Sequence, residues 1–261
     1  MAGVSVAVSL KHVLWIGGPP GGGKTTLATR LARRHGLRLY SADTRTWAHR
    51  DRALAAGNAA AHRWESLTPV ERWEQSTPAE MLEMSLYRER GPMVVDDLRA
   101  LPASPLVVAE GSTIPLDAVA SGIAGPSRIV WLIPTPAFQR AQLAAGGTTG
   151  GRAQLYMLLA EIIEREVRGQ DMPMIRVDGS RGIVETSDLV ERLFADALAA
   201  GPRARTTVER QALLREANEA IVAQVRGYHA RLWAEGDPEV VEREFVCECG
   251  NPVATSTCTS Q

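Results

Sequence analysis

Five short apolar runs, separated by helical patterns, occupy the first 200 residues of the chain. They comprise residues 13–16, 37–41, 105–109, 128–133 and 173–177. The third is a continuous apolar run of the kind that a parallel sheet buries on both faces. Helical patterns follow at residues 24–35, 44–101, 136–145, 152–167 and 186–200. This alternation predicts an α/β domain with a five-stranded, mostly parallel sheet and helices on both faces.

The longest helical stretch, residues 44–101, is interrupted by Gly57, Pro69, Pro78 and the Gly91-Pro92 pair. It contains Trp47, Trp64 and Trp73. These three side chains have two interpretations. They line a pocket for a second substrate, or they are core residues, as large aromatics at helical spacing usually are.

Gly201-Pro202 marks a boundary, after which residues 206–233 form one long helical pattern. The sequence therefore predicts a domain over residues 1–200 and a helical extension with a short cysteine-containing tail over residues 201–261. The extension helix is expected to pack against the preceding domain. The alternative is a surface for a protein partner or for self-association.

The first apolar run leads directly into a glycine-rich segment. Its residues are Gly18, Pro19, Pro20, Gly21, Gly22, Gly23, Lys24, Thr25 and Thr26. They fit the pattern Gly-x-x-x-x-Gly-Lys-[Ser/Thr], whose backbone N–H groups surround the β-phosphate of a nucleotide. Lys24 would bridge the β- and γ-phosphates, and the Thr25 hydroxyl would bind Mg²⁺.

The plain alternative is a glycine-rich turn that contains a lysine by chance. Against it, only Lys11 and Lys24 are lysines among the 29 basic residues, so the chain uses arginine nearly everywhere else. Lysine is a compact point charge on a flexible stem, which arginine is not. The position of Lys24 therefore favours a specific role at a phosphate.

The composition narrows the possible partners and the cellular location of the protein. A net charge of −1 provides no overall attraction to nucleic acid or to an anionic membrane, and 45% apolar residues are ordinary for a globular protein. No run approaches the ~18 uncharged apolar residues of a membrane span. The first ten residues lack a basic start and a cleavage site, so they do not predict a signal peptide. A cytoplasmic protein without a membrane or nucleic-acid partner is expected.

Further residues stand at the ends of the predicted strands. Asp43 follows the second, Glu110-Gly111 the third, and Val-Asp-Gly-Ser-Arg-Gly begins in the fifth at Val177. With the glycine-rich segment, these features resemble the small P-loop kinases over about residues 11–200. That group includes the nucleoside monophosphate, shikimate and gluconate kinases and the chloramphenicol phosphotransferase and zeta-toxin relatives.

The resemblance implies a P-loop NTPase fold, with ATP and Mg²⁺ as cofactors and a small molecule as substrate. Asp43 would meet the acceptor hydroxyl, as general base or as a Mg²⁺-bound orienting residue, and Arg45 would bind an anionic acceptor. Glu110 would be the acid of the Walker-B-like strand. The loop that packs against adenine would be formed by Asp178, Gly179, Ser180, Arg181 and Gly182.

Some of these roles have competing interpretations. Asp43 could be an N-cap of the next helix, since Asp is a preferred cap. Glu110 could stand at its strand end by chance. The lid of nucleotide kinases carries several arginines, whereas residues 146–151 here are Gly-Gly-Thr-Thr-Gly-Gly, a flexible hinge flanked by Arg140 and Arg152.

All three cysteines, Cys247, Cys249 and Cys258, lie in the last fifteen residues. Zinc usually takes four ligands, so His229 or a second subunit would have to supply the fourth. A Cys-x-Cys pair near a polar terminus is more often unliganded. The sequence leaves a zinc site and unliganded thiols both open.

The leading hypothesis is an ATP- and Mg²⁺-dependent kinase of a small hydroxyl- or phosphate-bearing molecule, with a nucleoside or nucleotide slightly favoured. The alternative is a nucleotide-binding regulatory protein with weak ATPase activity whose C-terminal helix binds a partner. GTP specificity is not indicated, since no Asn-Lys-x-Asp sequence is present. A helicase is disfavoured because the chain is small and lacks a basic stripe.

Overall fold

A computed structural model describes residues 10–118, 125–236, 243–251 and 257–260. Its main sheet has five parallel strands in the order β2-β3-β1-β4-β5. The strands are β1 (Val13–Gly17), β2 (Arg38–Ser41), β3 (Val107–Gly111), β4 (Ile129–Pro134) and β5 (Met174–Val177). The predicted α/β class and the five-stranded parallel sheet are confirmed.

Helices connect and follow these strands. They are α1 (Lys24–His35), α2 (Thr46–Ala55), α3 (Ala59–Ser66), α4 (Pro78–Met84), α5 (Arg90–Ala100), α6 (Leu116–Ala118), α7 (Pro136–Ala145), α8 (Gly150–Gly169), α9 (Ile183–Leu193), α10 (Ala195–Ala200) and α11 (Thr207–His229). Short 3₁₀ turns at Ala42–Arg45 and Pro126–Arg128 and a π turn at Glu71–Gln75 complete the connections.

Alternate residues of the central strand β1 enter two separate cores. Val13 and Trp15 pack on one face of the sheet, in a core that also contains residues of α5 and α8. Leu14 and Ile16 pack on the other face, against residues of α1, α9 and α10. Because strand side chains point alternately to opposite faces, helices must cover both faces of a strand this apolar.

The strand order places a crevice beside β1. The chain leaves β1 toward β2 on one side, whereas it leaves β3, the neighbour of β1, toward β4 on the other side. In an open α/β sheet, ligands bind at the carboxyl ends of the strands where the connections diverge in this way. The glycine-rich segment after β1 and the end of β3 therefore meet at the expected binding edge.

Three details of the predicted helices are wrong. Gly91-Pro92 does not interrupt a helix; it lies in the first turn of α5, where proline loses no intrahelical hydrogen bond. The pattern at residues 186–200 is two helices, α9 and α10, which meet at Phe194. The glycine segment is shorter than predicted, because Gly150 and Gly151 belong to α8 and only residues 146–149 form the loop.

Helix α11 packs along the edge of the sheet and on α2, as expected for a helix that covers the preceding domain. Arg38 of β2 donates to Glu216 at 3.0 Å. Gln224 accepts from the backbone N–H of Trp47 at 3.3 Å. At Gly227 the two helices approach so closely that an added Cβ would lie 2.8 Å from the Cβ of Trp47.

The tail forms a two-stranded antiparallel sheet that the sequence did not predict. Its strands are β6 (Arg243–Val246) and β7 (Thr257–Ser260). Asn218 of α11 holds β6 in place, since its side chain both accepts from the Val246 N–H at 3.0 Å and donates to the Val246 carbonyl at 2.9 Å. In the described parts of the chain, no helix is long and apolar enough to cross a membrane.

Candidate active site

The glycine-rich loop, residues 18–23, connects β1 to α1 and lies against β4. Gly18 has φ +136°, and a Cβ at this position would lie 2.2 Å from the carbonyl oxygen of Leu132. Gly23 ends the loop with φ +78°, in the left-handed region, as the N-cap residue of α1. Only glycine meets both requirements without strain.

The first turn of α1 presents open N–H groups next to this loop. No side chain caps the helix and no acidic residue lies in its first turn, so the N–H groups and the positive end of the helix dipole remain available to an anion. Lys24 is only 4% exposed, and its Nζ donates to the carbonyl oxygen of Pro19 at 2.9 Å. The ammonium group is therefore held on the loop.

Glu110 lies beneath the same helix turn, fully buried in β3. Its Oε1 accepts from the Thr25 hydroxyl at 3.2 Å and also from the Ser41 hydroxyl at the end of β2. Its Oε2 is buried and has no hydrogen-bond partner among the described residues. An acid at this position joins β2, β3 and the first turn of α1 at the binding edge, which chance placement at a strand end does not require.

The electrostatics of Glu110 are those of a buried carboxyl. Burial, reinforced by the negative charge of Asp43, raises the pKa of Glu110 to about 7, while Lys24 acts in the opposite direction. The group therefore changes its charge near neutral pH, and a cation bound beside it would favour the ionised form.

Asp43 lies in the turn after β2, and its side chain is exposed. It does not cap the next helix: the N-cap residue of α2 is Arg45, and the 3₁₀ turn that contains Asp43 begins after Ser41. The N-cap interpretation of Asp43 is therefore wrong. Its charge acts on Glu110, on Arg90 and on Tyr156. Asp43 lines the same cavity as Pro20 of the glycine-rich loop and Tyr156 of α8.

Arg90 is the main site residue that the sequence reasoning missed. It is 6% exposed, donates through Nη2 to the carbonyl oxygen of Ala42, and donates through Nε to Nδ1 of His49 at 3.3 Å. His49 in turn contacts Asp97 through Nε2 at 2.9 Å. Because Nδ1 accepts, Nε2 is the donor to Asp97; burial also lowers the pKa of His49, which favours this neutral form. The chain of contacts fixes the turn that carries Asp43.

A cavity of about 810 Å³ opens beside Asp43 and the glycine-rich loop. Helices α2 and α3 and the π turn form one wall, and helices α8 and α11 form the others. Its Trp and Tyr lining is Trp47, Trp64, Trp73, Tyr87, Tyr156, Tyr228 and Trp233, and its arginines are Arg50, Arg72, Arg90 and Arg152. All three tryptophans of the helical insertion therefore line the cavity, including Trp64, which is largely buried.

The predicted arginines are not all brought to this cavity. Arg152 lines it and lies over the ring of Trp73 at 4.8 Å. Arg45 lies over the ring of Tyr40 at 5.9 Å, and neither it nor Arg140 on α7 is among the lining residues. Thr44 and Thr46, on either side of Arg45, do line the cavity, so the contact of Arg45 with an anionic acceptor stays a prediction.

The predicted adenine loop lies beyond β5, on the opposite side of the glycine-rich loop from Asp43. Asp178 accepts from the backbone and hydroxyl of Ser180 at 2.9 and 2.6 Å, so the turn is fixed locally. Arg181 donates to the Arg176 carbonyl at 3.0 Å, and Gly182 is the N-cap residue of α9. Gly179 approaches Phe138 of α7.

Gln139 is a second residue without a sequence signal. It is fully buried in α7 and donates to the carbonyl oxygens of Pro20 at 2.9 Å and Tyr156 at 3.1 Å. One side chain thus ties the glycine-rich loop to α7 and α8. Glutamine in a helix is normally a surface residue, so the sequence gave no reason to select it.

The cysteine tail packs on α1. Arg33 donates to the Cys247 carbonyl at 3.0 Å and to the Cys249 sulfur at 3.5 Å. No group of three or more metal-binding side chains occurs within the residues that the structure describes. The side chain of Cys258 lies outside them, so the predicted zinc site stays a prediction.

No protein-family model matches this chain, and no curated protein matches it at a significant level. The case for any function therefore rests on the residues of the site themselves.

Proposed function

We propose that the protein is an ATP- and Mg²⁺-dependent phosphotransferase that acts on a small hydroxyl- or phosphate-bearing molecule. The observation that carries the proposal is the meeting of Lys24, Thr25 and Glu110 at the uncapped start of α1. The cavity that contains Asp43 opens directly beside them. The proposed phosphate site at the start of α1 and the proposed acceptor site in the cavity are thus adjacent.

The residues present fit ATP and Mg²⁺. The loop offers backbone N–H groups and no obstructing side chains, and Lys24 supplies a positive charge. The Thr25 hydroxyl and the unpartnered Oε2 of Glu110 are oxygen ligands of the kind that Mg²⁺ prefers, directly or through water. When bound, ATP supplies the phosphoryl group and Mg²⁺ neutralises part of its charge.

Phosphoryl transfer requires mainly positioning and charge neutralisation from the protein. In the proposed reaction the acceptor oxygen forms the new bond to the γ-phosphorus, the bond to the bridging oxygen of ADP breaks, and Asp43 accepts the acceptor's proton. Lys24 neutralises charge on the phosphates, and Arg90 holds the turn that presents Asp43. Tyr156 and the tryptophans exclude water from the acceptor.

The aromatic lining supports a nucleoside or nucleotide as acceptor, because flat rings stack on such side chains. A sugar acid or an antibiotic alcohol would also present the hydroxyl that the reaction needs. The regulatory alternative draws its support from the arginine-free segment 146–151 and from the extension, which a small kinase does not require. Since α11 lines the cavity through Gln224, Tyr228 and His229, the extension has a place in a kinase as well.

The test is ATP consumption with Mg²⁺ by the wild type and by Asp43→Asn. The acceptors are a pooled panel of nucleosides, nucleotides, sugar acids, aminoglycosides and phenicols. Products are identified by the gain of ~80 Da that a phosphoryl group adds. Turnover that depends on both acceptor and Asp43 supports the kinase. Tight ATP binding without transfer to any acceptor would favour the regulatory alternative instead.

A further inference from the structure

Two arginines in the wall of the cavity are buried, and no carboxylate of the described residues contacts either of them. Arg50 of α2 is 3% exposed and Arg72, in the π turn, is 1% exposed. Among the described residues, neither has a carboxylate oxygen within 4.0 Å, whereas Arg231 nearby pairs with Asp51 at 2.7 Å and with Glu65 at 3.5 Å. Buried charges in proteins are normally paired with an opposite charge, so the positions of Arg50 and Arg72 favour an anionic ligand.

Their N–H groups are also incompletely used. Arg50 donates to the Met84 carbonyl at 2.8 Å, and Arg72 donates to the Trp64 carbonyl at 2.8 Å. The remaining buried nitrogens without a partner in the described chain are Nε and Nη1 of Arg50 and Nη2 of Arg72. Burial lowers the pKa of Arg50 to about 10, and the positive charges of Arg90, Arg231 and Arg72 act in the same direction, against the charge of Glu65.

Aromatic rings hold both guanidinium groups in place. Arg50 lies over Trp64 at 4.5 Å, and Arg72 lies over Trp233 at 3.8 Å and over Trp64 at 4.9 Å. Stacking on a ring fixes the plane of a guanidinium group but leaves its edge free to donate hydrogen bonds. The two side chains are thus preorganised, and their positive charges outnumber the one acid, Glu65, that acts on both.

The charge of Glu65 acts on both Arg50 and Arg72, but this one acid is shared with Arg231. Glu65 accepts from Trp233 Nε1 at 2.6 Å and pairs with Arg231. The cavity lining as a whole contains four arginines against the acids Asp43 and Glu235. An acidic group that enters the cavity would therefore find positive charge without displacing an existing ion pair.

We propose that Arg50 and Arg72 form an oxyanion subsite that binds an acidic group of the acceptor, a phosphate or a carboxylate, at a distance from the hydroxyl that is phosphorylated. This inference rests on the proposed function, because only phosphoryl transfer would make the bound molecule an acceptor. Binding of an anion by Arg50 and Arg72 does not itself require the kinase reaction. It narrows the substrate class to anionic molecules. A neutral nucleoside or alcohol would leave both charges unpaired.

Trp233 gives the extension a defined part in this subsite. It lies beyond α11 and stacks directly on Arg72, while Tyr228 of α11 packs against it at 5.6 Å between ring centroids. Residues 201–236 then complete the acceptor site, and the choice of substrate depends on them.

The experiment measures binding of inorganic phosphate to the full-length protein by calorimetry. All proteins carry Lys24→Ala, so that phosphate binding at the glycine-rich loop is suppressed. Arg50→Met and Arg72→Met are added separately. Arg63→Met is the matched control, because Arg63 is an exposed arginine of the same helical insertion that pairs with Glu80 at 2.6 Å.

We expect phosphate affinity to fall about ten- to hundredfold in each Met variant and to stay unchanged in the control. Equal affinity in all variants would overturn the subsite. If a Met variant does not fold, Arg50→Lys and Arg72→Lys replace it, and the same loss is expected because lysine lacks the planar donor edge.

Failure of the subsite and failure of the kinase proposal are distinguishable. With Lys24 restored, Arg72→Met should bind ATP as tightly as the wild type. Phosphate binding that depends on Arg72 without phosphoryl transfer to any acceptor would retain the subsite and reject the kinase. Transfer to a neutral acceptor as efficiently as to its phosphorylated or carboxylated analogue would retain the kinase and reject the subsite.

Discussion

The hydroxyl of Thr25 donates to the carboxylate of Glu110 at 3.2 Å, although the two residues are 85 positions apart in the chain. Thr25 belongs to the first turn of α1 and Glu110 to the end of β3. The contact joins the only part of the site with a strong sequence signature to an acid whose role the sequence left open. It also defines where a cation would bind.

Replacement of Lys24 by alanine is expected to weaken ATP binding about ten- to hundredfold and to abolish turnover, because a charge-assisted contact to the phosphates is lost. The fold should persist, since Lys24 packs on the loop and is part of neither core. Calorimetry with ATP and circular dichroism measure the two effects. Lys11→Ala, at the only other lysine, is the control; loss of helical signal in Lys24→Ala would contradict the prediction.

Asp43→Asn should bind ATP normally and transfer phosphate about 10²–10⁴-fold more slowly, which is the usual contribution of a general base. The amide has nearly the same shape but accepts a proton poorly. Steady-state kcat with the identified acceptor checks the prediction, and Asp96→Asn on the exposed face of α5 controls for loss of one negative charge. Normal transfer by Asp43→Asn would rule out the base assignment.

Glu110→Gln should change the pH dependence of stability. The pKa of Glu110 is raised in the folded state, so the folded protein holds this proton more tightly than the unfolded chain. Its cost to stability is absent below about pH 4.5 and grows as the pH rises to about 7. The glutamine variant should therefore gain up to about 3 kcal/mol in the free energy of unfolding near pH 8, and almost nothing near pH 4.

Urea denaturation at both pH values measures this gain. Glu219→Gln, at an exposed position of α11, is the matched control and should show no such difference. Glu110→Gln should also turn over ATP more slowly, because an amide is a poorer ligand for Mg²⁺ than a carboxylate. A gain that is equal at both pH values would show that Glu110 does not titrate as described.

Gly227→Ala tests whether the contact of α11 with α2 shapes the acceptor cavity. The new methyl group would lie 2.8 Å from Cβ of Trp47, so one helix must shift. We expect a several-fold higher KM for the acceptor with an unchanged KM for ATP. Gly169→Ala, at the end of α8 with open space around the added carbon, should have no effect. Equal changes in both KM values would indicate general destabilisation.

Local sequence patterns were sufficient for the strands, for the glycine-rich loop and for the packing of the extension helix. Each of these features depends on residues that are adjacent in the sequence: continuous apolar runs for the strands, glycines at positive φ for the loop, and an amphipathic repeat for the helix. They failed where contacts cross between elements. One failure was local: Gly91-Pro92 was predicted to interrupt a helix, because the pattern did not show that α5 begins one residue earlier, at Arg90.

The sequence by itself determined the glycine-rich loop, for which we propose a phosphate ligand, since Gly18, Gly23 and Lys24 lie within seven consecutive residues whose conformation is local. Only the tertiary structure decided what lies next to that loop. Arg50, Arg72 and Arg90 are three of 27 arginines, and a charged residue on a helix is normally on its exposed face. Their burial depends on Trp64, Trp233 and Ala42 approaching from other elements, and no neighbour along the chain encodes that approach.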